Sequence, residues 1–217
     1  MDKPRLTSLA EADMDEAQRR VANAIESGPR GGLRGPFGAL LRSPELADRL
    51  QKLGAYVRFE SSLPPRLSEL AILVTARYWG AQYEWWAHRR LAEQAGLAPR
   101  IAEAIAAGRR PRGMGANEAA VYDFCKALHE KKRVGDAAWR AALEHFGERG
   151  VIDLIGTCGY YTVVSMVLNA TRHPLPEGVA PPLRALSPRR RSPRAAAGAR
   201  RRKPAGSRSS GSGRASS

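Results

Sequence analysis

Cysteine is almost absent from this chain: two residues in 217, Cys125 and Cys158. Two thiols cannot staple a small secreted scaffold, and positions so far apart do not have the spacing of a redox or zinc pair. No redox cysteine pair is therefore expected. Each cysteine falls in a different predicted helix, where a small buried hydrophobe is the usual role. The histidines number four, and His129, His145 and His173 have no close acid or histidine partners at metal-ligand spacing, so they read as surface or helix-end residues and no metal is expected. No segment alternates with the period of two that a half-buried strand requires, which leaves an all-α reading. The N-terminal stretch MDKPRLTSLAEADMDEAQRR has no apolar run behind Lys3 and Arg5, so a secretion signal is not expected and the cytoplasm is the expected compartment. Residues 154–171 lack any charged side chain and approach spanning length, but Gly156, Thr157, Gly159, Thr162, Ser165 and Asn169 dilute them. A buried core helix is the better reading, and no membrane partner is expected.

What is abundant is positive charge, and it is unevenly placed. The formal charge of +15 divides into +4 over residues 1–183 and +11 over residues 184–217, where no acid occurs. The first part reads as one helical domain. The second is rich in Arg, Ser, Ala, Gly and Pro, with Leu186 its single large aliphatic residue. Such a composition cannot offset its ordering entropy by burial, so a disordered basic C-terminal tail is expected. Its Arg189-Arg190-Arg191 and Arg200-Arg201-Arg202-Lys203 clusters would attract a polyanion weakly and in a salt-dependent way.

Punctuation along the first part predicts the helices. Asp13 with Glu16 suggests a capping box for a helix carrying Met14, Ala17, Val21 and Ile25 on one stripe. A glycine-rich loop, GPRGGLRGPFG, follows, suited to a tight surface path or to close approach to a ligand. Ser43-Pro44-Glu45 starts a helix expected to turn Leu46, Leu50, Leu53 and Val57 inward. Leu63-Pro64-Pro65 breaks the chain, and RLSELAILVTARYWG resumes it as far as Gly80. Further helices are predicted over residues 82–94, 99–107, 117–131 and 136–146 and over the uncharged segment, with Gly96, Gly108 and Gly147 as stops.

The chemistry-bearing residues cluster on two of these helices. Glu84 and His88 lie four apart, hence on one face about a turn apart. Tyr83, Trp85 and Trp86 crowd around them, and desolvation by such rings is expected to raise a carboxyl pKa and lower an imidazole pKa. Glu69, one helix earlier, stands among Leu67, Leu70, Ile72 and Leu73, either outward in water or buried with a partner. Arg77 and Arg89 are candidates to hold a substrate carboxylate, with Trp85 beside it.

The stretch RLSELAILVTARYWGAQYEWWAHRRLAEQAGL resembles the core helix pair of the carboxymuconolactone decarboxylase-like superfamily, which includes the alkylhydroperoxidase AhpD-like proteins. GPRGGLRGPFGALLRSPELADRL and GYYTVVSMVLNATRHPLP extend the likeness to the decarboxylase-like branch, over about residues 28–178. In the peroxidase branch a Glu precedes a Cys-x-x-Cys-x-x-x-His motif. That spacing puts the Glu at Glu69 and the His at His88, while the two cysteine places carry Ala81 and Glu84.

The resemblance implies an AhpD-like helical bundle assembling as a homo-oligomer, a trimer or hexamer. With both thiols missing, the side chains that remain suit acid-base work, so the expected catalytic set is Glu69, Glu84 and His88, working without a cofactor on a small carboxylic acid or lactone by decarboxylation or a related lyase or isomerase step. Two alternatives stand beside it. One is alkylhydroperoxidase activity of the AhpD type; the other is a non-enzymatic helical oligomer whose tail binds a polyanion.

Overall fold

Proline and glycine set the helix boundaries of the structure, a computed structural model that describes residues 3–186. The helices are α1 (Glu16–Glu26), α2 (Phe37–Leu40), α3 (Pro44–Ala55), α4 (Pro65–Trp79), α5 (Gln82–Gln94), α6 (Pro99–Ala106), α7 (Ala116–Lys131) and α8 (Asp136–Thr171). No strand occurs among the described residues, so the architecture is all-α. Pro occupies the first turn of α3, α4 and α6, where its missing N–H would have been unpaired anyway. Gly80 ends α4 at φ 60°, a left-handed conformation that glycine adopts without strain. Gly147 interrupts α8 at φ 63° and ψ 179°, dividing it where the sequence predicts one helix to stop and another to begin.

The centre of the bundle is α4, with α5, α7, α8 and α6 packed around it. Leu67, Leu70, Ala71, Ile72, Leu73, Val74 and Ala76 are all buried on it, so the helix is apolar nearly all round, as a core helix must be. Burying each such leucine or isoleucine contributes roughly 1.5–3 kcal/mol. The uncharged part of α8 lies against this core through Leu154, Cys158, Tyr161, Val164 and Leu168. It carries one charged residue inward just ahead of that run. Asp153 accepts hydrogen bonds from Tyr56 Oη at 2.9 Å and from Ser62 N and Oγ at 2.8 and 2.7 Å, which ties the π-helical turn Tyr56–Glu60 to α8.

Two expectations need correction. The capping box of α1 is Asp15 with Gln18, two residues beyond the expected pair: Asp15 Oδ1 accepts from Gln18 N at 2.8 Å, and Gln18 Oε1 accepts from Asp15 N at 2.9 Å. Asp13 instead closes a short 3-10 turn, Glu11–Asp13. On α3 the inward face is Ala47, Leu50 and Gly54, continued by Val57 of the π-helical turn that follows, whereas Leu46 and Leu53 are exposed. The reason is close packing at Gly54, where a Cβ would lie 2.0 Å from Arg30 Nη2 and 2.2 Å from Tyr160 Oη. We therefore expect Gly54→Ala to lower the unfolding free energy by about 1–3 kcal/mol through overpacking, read from urea denaturation. Beyond α8 the described residues run to Leu186, and Leu183 is buried. The expected basic tail clusters lie outside the described residues.

Candidate functional site

Gly80 reverses the chain so that α5 folds back against α4, which places Glu69 and His88, at comparable distances on either side of the turn, opposite one another. Glu84 sits one turn before His88 on the same face. The three side chains are brought together: His88 Nδ1 is 2.8 Å from Glu69 Oε2, and His88 Nε2 is 3.3 Å from Glu84 Oε2. All three are largely withdrawn from water, with side-chain exposures of 12% for Glu69, 4% for Glu84 and 7% for His88. The Tyr161 ring stands edge-on to the imidazole at 4.9 Å.

Burial is the largest single influence on His88 and favours the neutral ring. The charges and hydrogen bonds of Glu69 and Glu84 together outweigh it and raise the imidazole from 6.5 to about 9. Desolvation by the neighbouring rings had suggested a lowered value. Two carboxylates at once reverse the sign, so His88 is an imidazolium at neutral pH, donating to Glu69 from Nδ1 and facing Glu84 from Nε2.

A cleft of about 460 Å³ opens over Glu84 and His88. It is lined by α5, by Tyr160, Tyr161 and Val164 of α8, and by the glycine-rich loop before α2. That loop bends through Gly31 and Gly35 at φ 65° and 63°, and a Cβ on Gly35 would meet the Tyr83 ring at 3.0 Å. The loop is thus part of the site rather than a plain connection. Four arginines line the cleft: Arg30 and Arg34 from the loop, Arg58 from the π-helical turn and Arg90 from α5. Arg30 is fixed by donating to Tyr160 Oη at 3.1 Å and by lying 4.9 Å over the Phe37 ring. Glu69 is not on the cleft wall; it stands behind His88.

The expected substrate-binding residues are placed elsewhere. Arg77 donates to the Arg184 carbonyl at 3.0 Å, because its face of α4 meets the C-terminal segment. Arg89, next to His88 but rotated away on the helix, pairs with Glu93 at 3.0 Å and reaches Glu103 of α6 at 3.6 Å. Trp85 is wholly buried in the core, and its neighbour Trp86 lines the cleft instead. Among the described residues no group of three or more His, Cys, Asp or Glu side chains is arranged to share a metal ion. His129 is a buried residue rather than a surface one; His145 is exposed and His173 packs edge-on against Tyr83.

Residues 44–127 match the carboxymuconolactone decarboxylase family, a span that holds Glu69, Glu84 and His88 but not the glycine-rich loop or α8. No curated protein matches the chain. Among solved structures, the fold is similar to an uncharacterized peroxidase-related protein with an alkylhydroperoxidase AhpD core from Ralstonia eutropha, with a TM-score of 0.63 and 15% identity over 77% of this chain and 89% of that one. It is also similar to an uncharacterized peroxidase-related protein from a Silicibacter species, with a TM-score of 0.62 and 18% identity over 78% and 90% of the two chains. A protein of unknown function from Agrobacterium tumefaciens, whose description also names AhpD, gives a TM-score of 0.58 and 17% identity over 66% of this chain and 99% of that one. Residues 44–127 are thus similar to the carboxymuconolactone decarboxylase family, and the described fold is that of the AhpD-like structures.

Proposed function

We propose that the chain is an enzyme of acid-base chemistry that needs no cofactor and acts on a small carboxylated lactone or enolisable acid, with His88 as the proton source. The observation that carries this reading is an imidazole flanked by two carboxylates and facing a cleft lined by four arginines. The arginines suit a bidentate grip on substrate carboxylates. When such a substrate loses carbon dioxide, the electron pair of the broken C–C bond passes into the substrate's own carbonyl, and the resulting enolate needs a proton at carbon. His88 is charged at neutral pH, and its Nε2 is 3.3 Å from Glu84, which lines the cleft beside it, so a proton can pass through Glu84 to the enolate. Glu69 acts as a positioning residue that orients the ring and holds its charge.

The names of the similar structures suggest peroxide reduction, but thiol chemistry at this place would need sulfur beside His88. Ala81 and Glu84 stand there. The test is incubation of the full chain with a panel of small lactones and enolisable acids in deuterium oxide, following carbon dioxide release and deuterium entry at carbon. We expect the wild type to label at least one of them and His88→Asn to label it at least about a hundredfold more slowly. A wild type that labels nothing, or a variant equal to it, overturns the reading.

The same reading includes a homo-oligomer. On α8 the apolar residues Ile152, Ile155, Val163 and Met166 share one exposed stripe, a pattern that marks a contact surface more often than open water. Ile152→Glu combined with Met166→Glu is expected to reduce the mass measured by sedimentation to that of one chain. An unchanged mass would remove this part of the proposal.

A further inference from the structure

The crossing of α7 and α8 brings together the two cysteines that lie far apart in the sequence. Cys125 Sγ and Cys158 Sγ are 3.3 Å apart, and both residues are buried. A further approach of roughly 1 Å would bring the sulfurs to bonding distance. Beside them, four residues after Cys125 on α7, stands the buried His129, whose Nε2 is 2.9 Å from Thr75 Oγ1 of α4. The Thr75 hydroxyl donates its hydrogen bond to the Ala71 carbonyl at 2.9 Å, so its oxygen accepts from Nε2–H. The Tyr78 ring stacks on His129 at 4.9 Å, and Lys132 Nζ bonds both Tyr78 Oη at 2.6 Å and the His129 carbonyl at 2.7 Å. None of these residues lines the cleft over His88.

We propose that Cys125 and Cys158 are a buried dithiol that a small neutral hydroperoxide converts to an intramolecular disulfide, with Cys158 as the attacking sulfur and His129 as its proton acceptor. The asymmetry between the thiols follows from their partners. Hydrogen bonding from Cys125 holds the Cys158 thiol below its ordinary range against the opposing effect of burial, helped by His129 and Thr75. Burial, reinforced by the bond to Cys158, pushes Cys125 well above its ordinary range. A thiolate is the nucleophile, so Cys158 reacts first.

His129 takes the Cys158 proton, the thiolate attacks one peroxide oxygen, the O–O bond breaks, and the leaving hydroxide is protonated by His129. The products are water and a Cys158 sulfenic acid. Cys125 sulfur then attacks the Cys158 sulfur, the S–O bond breaks, and hydroxide leaves with the Cys125 proton as a second water. Two thiols and one hydrogen peroxide thus yield one disulfide and two waters. The setting selects the oxidant: Phe124, Val121, Ala71 and Leu154 belong to the same apolar cluster, into which a charged molecule enters only with a large desolvation penalty. The cross-link would close a loop holding the α7–α8 turn and the break at Gly147.

The reduced full chain is exposed to hydrogen peroxide, unfolded in the presence of N-ethylmaleimide, and weighed intact by mass spectrometry. We expect the adducts to fall from two to none, a Cys125–Cys158 peptide to appear on digestion, and both thiols to return with dithiothreitol. Oxidised glutathione, a charged disulfide, is expected to leave two adducts. Cys125→Ser is expected to accumulate a sulfenic acid that dimedone traps on Cys158, whereas Cys158→Ser traps none. His129→Asn is expected to slow cross-linking at least tenfold. Two adducts surviving peroxide, oxygen added without a cross-link, or a disulfide joining two chains would each overturn the proposal. So would dimedone trapping at Cys125, an unslowed His129→Asn, or ready reaction with glutathione disulfide. The wild-type mass measurement decides the main claim even where a variant does not fold.

Discussion

His88→Asn is expected to lower proton transfer to a bound substrate by about 10²–10⁴-fold, the usual contribution of a positioned acid. Asparagine keeps a hydrogen-bond donor near Glu69 but carries no ionisable proton, so the loss reports chemistry rather than shape. It also leaves Glu69 and Glu84 facing each other without a cation, and breaking a buried ion pair in this way destabilises by about 3–5 kcal/mol. Activity is therefore compared at a temperature where circular dichroism shows the variant to be folded. Glu69→Gln is the informative partner. It preserves a polar contact at Nδ1 and removes the charge that raises His88 most strongly, so the pH at which donor activity disappears should fall from near 9 in the wild type towards 6.5. An unchanged pH profile would mean that Glu69 does not hold the charge on the ring.

The second large effect is on stability. An unfolded imidazole titrates near 6.5 and the folded His88 near 9, so between those values the folded chain keeps a proton that the unfolded chain has released. The stabilisation is fully present below pH 6.5 and is lost as the pH rises through 9. A shift of this size corresponds to something on the order of 3 kcal/mol. Cys158, with its thiol held low, titrates across the same window in the opposite sense, so the wild-type curve alone mixes the two. The difference between wild type and His88→Asn, from urea midpoints at pH 6.5 and 9.5, isolates the histidine. We expect the gap to shrink at the higher pH; a constant gap would mean that the ring is not charged in the folded state.

Helix ends were legible in the sequence because they depend on local rules. Pro44, Pro65 and Pro99 begin helices and Gly80 ends one, where their backbone constraints demand it. The pairing of Glu69 with His88 was legible only through the resemblance, since periodicity alone left Glu69 on either face. The arginines of the cleft were hidden for a different reason. Arg30, Arg58 and Arg90 come from a loop, a π-helical turn and the edge of α5, three places that converge only in the tertiary structure. The glycines before Phe37 were the one available signal, and they mark the loop without identifying its cargo. Cys125 and Cys158 show the limit most clearly: contact between helices depends on a crossing that no spacing rule encodes.

Beyond α8 the described chain has no regular secondary structure, yet its final residues are not a loose end. Gln82 Nε2 donates to the Leu183 carbonyl at 2.9 Å and Gln82 Oε1 accepts from Leu183 N at 2.9 Å, while the Leu183 side chain fills the core. This irregular segment works as a belt buckled onto the first turn of α5, six positions ahead of the histidine. Trimming the protein just after its last helix would unbuckle the helix that carries the chemistry, so a unit able to hold its acid in place extends at least to Leu183 rather than to the end of the helical bundle.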